Sequence, residues 1–187
     1  MFVDKLLSLT FGAAMLLLAA CNGPAADAET ATNTISVTQN LQHDPAFWDY
    51  AASSSMLQTE ISRLAIEKGS TEKIKALGQQ SADFHSNALK NLKKLVAKQK
   101  QIQLPDRLGA ADKGLVQEFV LLEGEEFDTR YRDFMISTHT AQLDRYEDAL
   151  RKADDQRTRD WLMNMRTHIR KELDVLAQPD SVAAPLL

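Results

Sequence analysis

The chain has 187 residues, of which 44% are hydrophobic and 26% charged, with a formal net charge of −4. That length suits one domain with a substantial core, and the mild negative charge argues against nucleic acid as a main partner. A single cysteine, Cys21, excludes an internal disulfide framework.

The chain opens on a short polar head, Met1 to Lys5, followed by an apolar run from Leu6 to Ala20. The run is short for a membrane-spanning helix, which needs about 20 apolar residues, and suits the core of a secretory signal. Leu18-Ala19-Ala20-Cys21 resembles the lipobox of a bacterial lipoprotein precursor. The resemblance implies that residues 1–20 are removed and that Cys21 is acylated and becomes the mature N-terminus. A multiply acylated residue is a durable membrane anchor, since one chain alone holds only reversibly. Asn22 follows, where an Asp would typically mark retention at the inner membrane, so the expected place is the outer membrane, facing the periplasm. Acylation also consumes the only thiol, which leaves histidine and carboxylate as the material for any site.

Residues 21–43, rich in Ala, Thr, Asn and Gln, read as a flexible tether that cannot bury enough apolar surface to offset the entropy of ordering. Residues 44–177 read as one all-α domain, and residues 178–187, with Pro179 and Pro185, as a loose tail. Helical spacing of apolar residues dominates the domain, and no strand-like alternation occurs.

The first long helix is predicted to start at Asp44 as N-cap, with Pro45 at the first helical position, and to stop at Gly69. Its apolar stripe includes Tyr50, Leu57, Ile61 and Leu64. A second runs from after Ser70 to about Gln101, before Leu104-Pro105-Asp106. A short helix over Ala110–Leu122 follows as a crossing piece. The third long helix covers Glu125–Lys152, and the fourth starts near Asp154 and carries Trp161, Met165, Ile169, Leu173 and Leu176. Four amphipathic helices with short turns and one longer link predict a four-helix bundle with a short extra helix between the second and third.

Lys90, Lys93, Lys94, Lys98 and Lys100 gather toward the end of the second long helix, and Glu123, Glu125, Glu126 and Asp128 at the start of the third. Both placements complement helix macrodipoles. The lysines read as a solvated face, with contact to anionic headgroups as the lesser alternative.

Of four histidines, His43 falls in the tether. His85, His139 and His168 each lie on the apolar stripe of a different long helix, at spacings that share its face. At about 1.5 Å per residue each is roughly 20 Å from its helix ends, so all three imidazoles meet near the waist of an antiparallel bundle. Glu60, beside Leu57 and Leu64, is the candidate from the first helix. A His₃ or His₃Glu cluster suits zinc, iron or copper. The alternative is a set of buried histidines hydrogen-bonded among themselves or to Glu172, Tyr131 or Tyr146. No Glu-x-x-His pair occurs, because Ala82, Ile136 and Met165 stand three residues before the histidines. This disfavours the di-iron chemistry of ferritin-like oxidases. Nor does the chain carry a serine–histidine arrangement, a phosphate loop or a dinucleotide fingerprint. No catalytic residue is assigned.

Phe47-Trp48-Asp49-Tyr50-Ala51-Ala52 through Glu60, Asp83-Phe84-His85, Gly124-Glu125-Glu126-Phe127-Asp128 with Tyr131, His139, and Leu162 through His168 occur in an order that resembles the DUF4142 family of exported bacterial proteins. The similarity extends over about Asp44 to Ala177. It implies a ferritin-like helical bundle and matches Glu60, His85, Asp128, His139 and His168 to recurrent polar positions of the family. Met163 stands where the family usually has a proline, which implies a straighter last helix here. The family brings no established activity.

Two functional expectations follow. One is a lipid-anchored periplasmic protein with a binding or envelope-associated role. The other is a metal-binding ferritin-like protein with a site of His85, His139, His168 and Glu60. A redox enzyme using that metal is the weaker third.

Overall fold

A computed structural model describes residues 40–178. The leader, Cys21, most of the tether and the tail from Pro179 lie outside the described residues. All regular structure among the described residues is helical, in five α-helices and one 3-10 turn. These are α1 (Pro45–Lys68), α2 (Glu72–Val96), α3 (Ala110–Leu121), α4 (Gly124–Lys152) and α5 (Gln156–Ala177). None of them is long and apolar enough to cross a membrane.

Local chemistry accounts for the boundaries. The Asp44 carboxylate accepts from Phe47 N at 3.1 Å and caps α1 ahead of Pro45. Thr71 caps α2 through Ile74 N at 3.2 Å, and Asp155 caps α5 through Thr158 N at 2.9 Å. Gly124 opens α4 at φ 57°, a conformation that suits a residue without Cβ. The end of α2 differs from expectation: it stops at Val96, not Gln101. Two tight turns follow, with Gln99 N bonded to Val96 O at 2.8 Å and Ile102 N to Gln99 O at 2.9 Å. They leave the polar run Lys98–Gln101 outside the helix and turn Ile102 into the core, where it is buried. Residues 41–43, expected in the tether, form the 3-10 turn. Leu41 is buried there, and Trp48 Nε1 donates to its carbonyl at 2.9 Å. With Met163 in place of a proline, α5 runs unbroken.

Two apolar cores stabilise the domain. The first joins Phe47, Trp48, Ala51 and Ala52 with Ala88, Leu92 and Val96, Tyr146 and Ala149, and Trp161, Leu162, Met165 and Ile169; the second joins Ile61 and Ala65, Ile74 and Leu77, Phe119, Phe127, Tyr131, Phe134 and Met135, and Leu176. Read along the chain, α1 and α5 run from the first core to the second, and α2 and α4 run back. The packed pairs α1–α2, α4–α5, α1–α4 and α2–α5 are therefore all antiparallel. Helices α2 and α4 share a direction, so the chain between them must return along the full length of the domain. Residues 97–123 make that return, with α3 against α1 and Phe119 in the second core.

Between the two cores lies a polar belt. It holds Ser55 and Gln58 of α1, Ser81 and His85 of α2, His139 and Gln142 of α4, and Glu172 of α5, all at 0% exposure. Burying so many polar groups costs free energy unless each finds a partner. The belt is therefore where function is to be sought.

Candidate metal centre

The helix register delivers His85, His139 and His168 to the belt, as their spacing predicts. The His85 ring lies 5.9 Å, centroid to centroid, from both His139 and His168. Glu60 does not join them. Its side chain is on the surface, paired with Arg63 at 3.2 Å. The reason lies in the face that α1 buries. Ala51, Ser55, Gln58, Ser62 and Ala65 point inward, whereas Leu57 and Leu64, which flank Glu60 on the predicted stripe, are only partly buried.

The carboxylate of the cluster is instead Glu172, fully buried one turn after His168. Its Oε2 accepts from His139 Nε2 at 2.5 Å, and its Oε1 lies 3.1 Å from His168 Nε2. The second approach is close but misaligned, and neither of those two atoms completes a hydrogen bond. The other nitrogen of His139, Nδ1, faces Gln142 Oε1 at 3.2 Å. Both ring nitrogens of His85 are buried without a hydrogen-bond partner among the described residues, as are Ser81 Oγ, Gln58 Oε1 and Gln142 Nε2.

The electrostatics suit ligation. Burial holds His85 well below its usual range, at about 3, with the neighbouring imidazoles adding to the effect and Glu172 opposing it. Its nitrogens are therefore neutral electron-pair donors at physiological pH. Burial alone would raise the Glu172 carboxyl, but the hydrogen bond from His139 and the adjacent His168 imidazole outweigh it and hold the group at about 2. Glu172 is thus an anion in the protein interior, hydrogen-bonded on one side and open on the other.

One nitrogen each of His85 and His168 and one oxygen of Glu172 lie within 4.8 Å of one another. Bonds near 2 Å to a shared ion fit that separation after small rotamer adjustments. His139 lies outside this converging set, and its Nε2 is occupied by the hydrogen bond to Glu172. It stands as the group that orients the carboxylate. The outer wall is aromatic. Phe84 stacks on His168 with centroids 3.4 Å apart and planes at 9°, and meets His85 edge-on at 5.3 Å. His168, 10% exposed, is the one member of the cluster that reaches the surface.

Asp128 has a different task from the one expected at the start of its helix. It is buried and accepts from Ser70 N at 2.9 Å, Ser70 Oγ at 2.7 Å and Thr71 Oγ1 at 3.3 Å, and so ties α4 to the α1–α2 turn. Tyr131 OH is bonded to Ser62 Oγ at 2.9 Å. Both residues are structural.

Glu172 is the site residue that the sequence reading placed only as a hydrogen-bond partner. The signal for it was present: four residues after His168, it shares that histidine's helix face.

No curated protein and no solved structure matches the chain. The model of a family described as a domain of unknown function, DUF4142, matches residues 27–178. The match spans the whole helical domain, and the chain belongs to that family.

Proposed function

We propose that this protein holds a transition metal at the waist of a ferritin-like four-helix bundle, through His85, His168 and Glu172. The observation that carries the proposal is the orphaned His85. Two unpartnered ring nitrogens at 0% exposure are a costly arrangement for a residue with only a packing role. A metal that accepts one of those lone pairs removes part of that cost. Two imidazoles and a carboxylate suit zinc, iron or copper, and three protein ligands leave coordination positions open. Such an ion would supply Lewis acidity or, as iron or copper, one-electron chemistry. In this reading His85 and His168 bind, Glu172 binds and neutralises charge, His139 orients Glu172, and Phe84 keeps water from the cluster.

The bundle assignment is supported by the antiparallel packing of α1, α2, α4 and α5 and by the return between α2 and α4. The place of action is proposed from the leader. Cleavage before Cys21 and its acylation would hang the domain from a membrane, with Asn22 favouring the outer membrane and a periplasm-facing domain. In that setting the protein is an envelope-associated binding protein rather than an enzyme.

Elemental analysis of the purified chain, beside a His85→Ala/His168→Ala/Glu172→Ala variant, tests the metal. About one equivalent of Zn, Fe or Cu in the wild type and none in the variant is the expected result. Should the wild type hold no stoichiometric metal and gain no thermal stability from any of the three ions, the reading fails.

A further inference from the structure

We propose that the end of the domain bearing Lys90, Lys93, Lys94, Lys98 and Lys100 is a docking face for an anionic lipid surface. The helix dipole explains only part of this cluster. Its effect is confined to the last turn, where Lys93 and Lys94 sit. Lys90 precedes that turn, and Lys98 and Lys100 lie beyond the end of α2. Every one of these lysines is exposed, and none has an ion pair or hydrogen bond among the described residues. Lys90 and Lys94 form an i,i+4 pair of like charge, a spacing that destabilises a helix unless an outside anion compensates it.

No carboxylate among the described residues forms an ion pair with these lysines, and Asp155, in the cleft with Leu95 and Gln99, caps α5. Asp148 pairs with Arg151 and Lys152, Asp106 with Arg107, and Asp154 accepts from Asn40 and Gln42. At the opposite end Glu125 and Glu126 open α4 exposed. These two exposed charge clusters thus lie at opposite ends of the domain.

The chain enters at the lysine end. Leu41 is buried in the same core as Val96 and Ile102, and Gln42 lines a surface cleft with Leu95 and Gln99. Residues 40–42 thus lie at the lysine end of the domain, and the chain from Cys21 is covalently attached there. Lysines near an anionic membrane each contribute roughly a fivefold factor in binding, acting within about a Debye length. This proposal does not depend on the metal site.

The test is partition of the full chain carrying Cys21→Ser, which removes acylation. It is measured on vesicles of phosphatidylcholine alone and of phosphatidylcholine mixed with phosphatidylglycerol. The apolar leader adds the same background to both. Tighter binding to the anionic vesicles is expected, abolished in about 1 M salt, where the Debye length is about 3 Å. A Lys90→Gln/Lys93→Gln/Lys94→Gln variant should lose the preference by on the order of a hundredfold. A Lys98→Gln/Lys100→Gln variant, altered outside the helix, should lose less and serves if the triple variant misfolds. Equal partition of the parent on both vesicles overturns the proposal, and so does a preference that survives in folded variants of both kinds.

Discussion

His139 Nε2 donates to Glu172 Oε2 at 2.5 Å, and both residues are fully buried. This bond occupies His139 Nε2, while one nitrogen each of His85 and His168 converges with the carboxylate. It also separates two kinds of mutational result. Replacing His139 by Gln should weaken metal binding by about 10–100-fold, the usual loss when an orienting partner is removed. Replacing Glu172 or His168 by Ala should abolish stoichiometric binding. Chelator-competition titrations of the three variants measure the difference, and equal loss in all three would make His139 a ligand.

His85 is predicted to be a stability liability without metal. His85→Leu replaces two buried unpartnered nitrogens with apolar surface of similar size. It should stabilise the metal-free protein by about 1–3 kcal/mol. The same variant should gain nothing from added metal. Urea unfolding in chelator and in metal checks both halves, and destabilisation of the metal-free variant would indicate that the His85 nitrogens are satisfied in solution.

The same residue makes the metal-free fold acid-sensitive. His85 titrates at about 3 in the folded state against an ordinary 6.5, so between those values the unfolded chain binds the extra proton and the folded one does not. Stability is fully present above about pH 6.5 and falls as the pH drops toward 3, with a limiting slope of about 1.4 kcal/mol per pH unit. Glu172, held at about 2 against 4.5, adds its own loss only below 4.5. The window from 6.5 to 4.5 therefore lies above the Glu172 contribution, and the difference between the wild type and His85→Leu within it reports His85. Denaturation curves across it should be steeper for the wild type than for His85→Leu, and superimposable slopes would count against a buried neutral imidazole.

Phe84 covers the one ligand that reaches solvent, stacked on His168 at 3.4 Å. Phe84→Ala should speed transfer of bound metal to a chelator several-fold while leaving the stoichiometry at one, because the ligands are untouched. Stopped-flow release with a chromogenic chelator reads the rate. An unchanged rate would mean that exchange follows another route.

Much of this was legible in the sequence, and the reasons differ from residue to residue. Asp44-Pro45 and Gly69 bound α1 because capping chemistry is local. The meeting of the three histidines was legible because a helix fixes both face and depth. Glu60 misled because the large apolar residues beside it, Leu57 and Leu64, mark the edge of the buried face, while its centre is built from Ser55, Gln58 and Ser62. Polarity patterns read such small and polar residues as solvent-facing. The partners of Asp128 on the α1–α2 turn are distant in sequence, and no local spacing points to them.

The small residues on that face explain how closely α1 and α2 approach, and Gly78 makes the point testable. A Cβ added at Gly78 would stand 2.8 Å from the Ser62 carbonyl oxygen and 2.9 Å from Ala65 Cβ. The first contact is with backbone, which no rotamer change can relieve, so the two helices must separate. Separation there would disturb the second core, where Ala65 packs with Leu77 and Ile74, and the belt beside it, where Ser62 is bonded to Tyr131. Overpacking of this kind costs about 1–3 kcal/mol, while alanine's better helix propensity returns about 1 kcal/mol. Gly78→Ala should therefore destabilise the protein by up to about 2 kcal/mol despite being a helix-favouring change. It should also lower metal affinity, because α2 carries His85 two turns further along. Gly114, where an added Cβ meets nothing within 4 Å, provides the control in α3. Gly114→Ala should stabilise by up to about 1 kcal/mol. Thermal unfolding of the two variants side by side decides the matter, and equal stabilisation of both would show that α1 and α2 are not in close contact at Gly78.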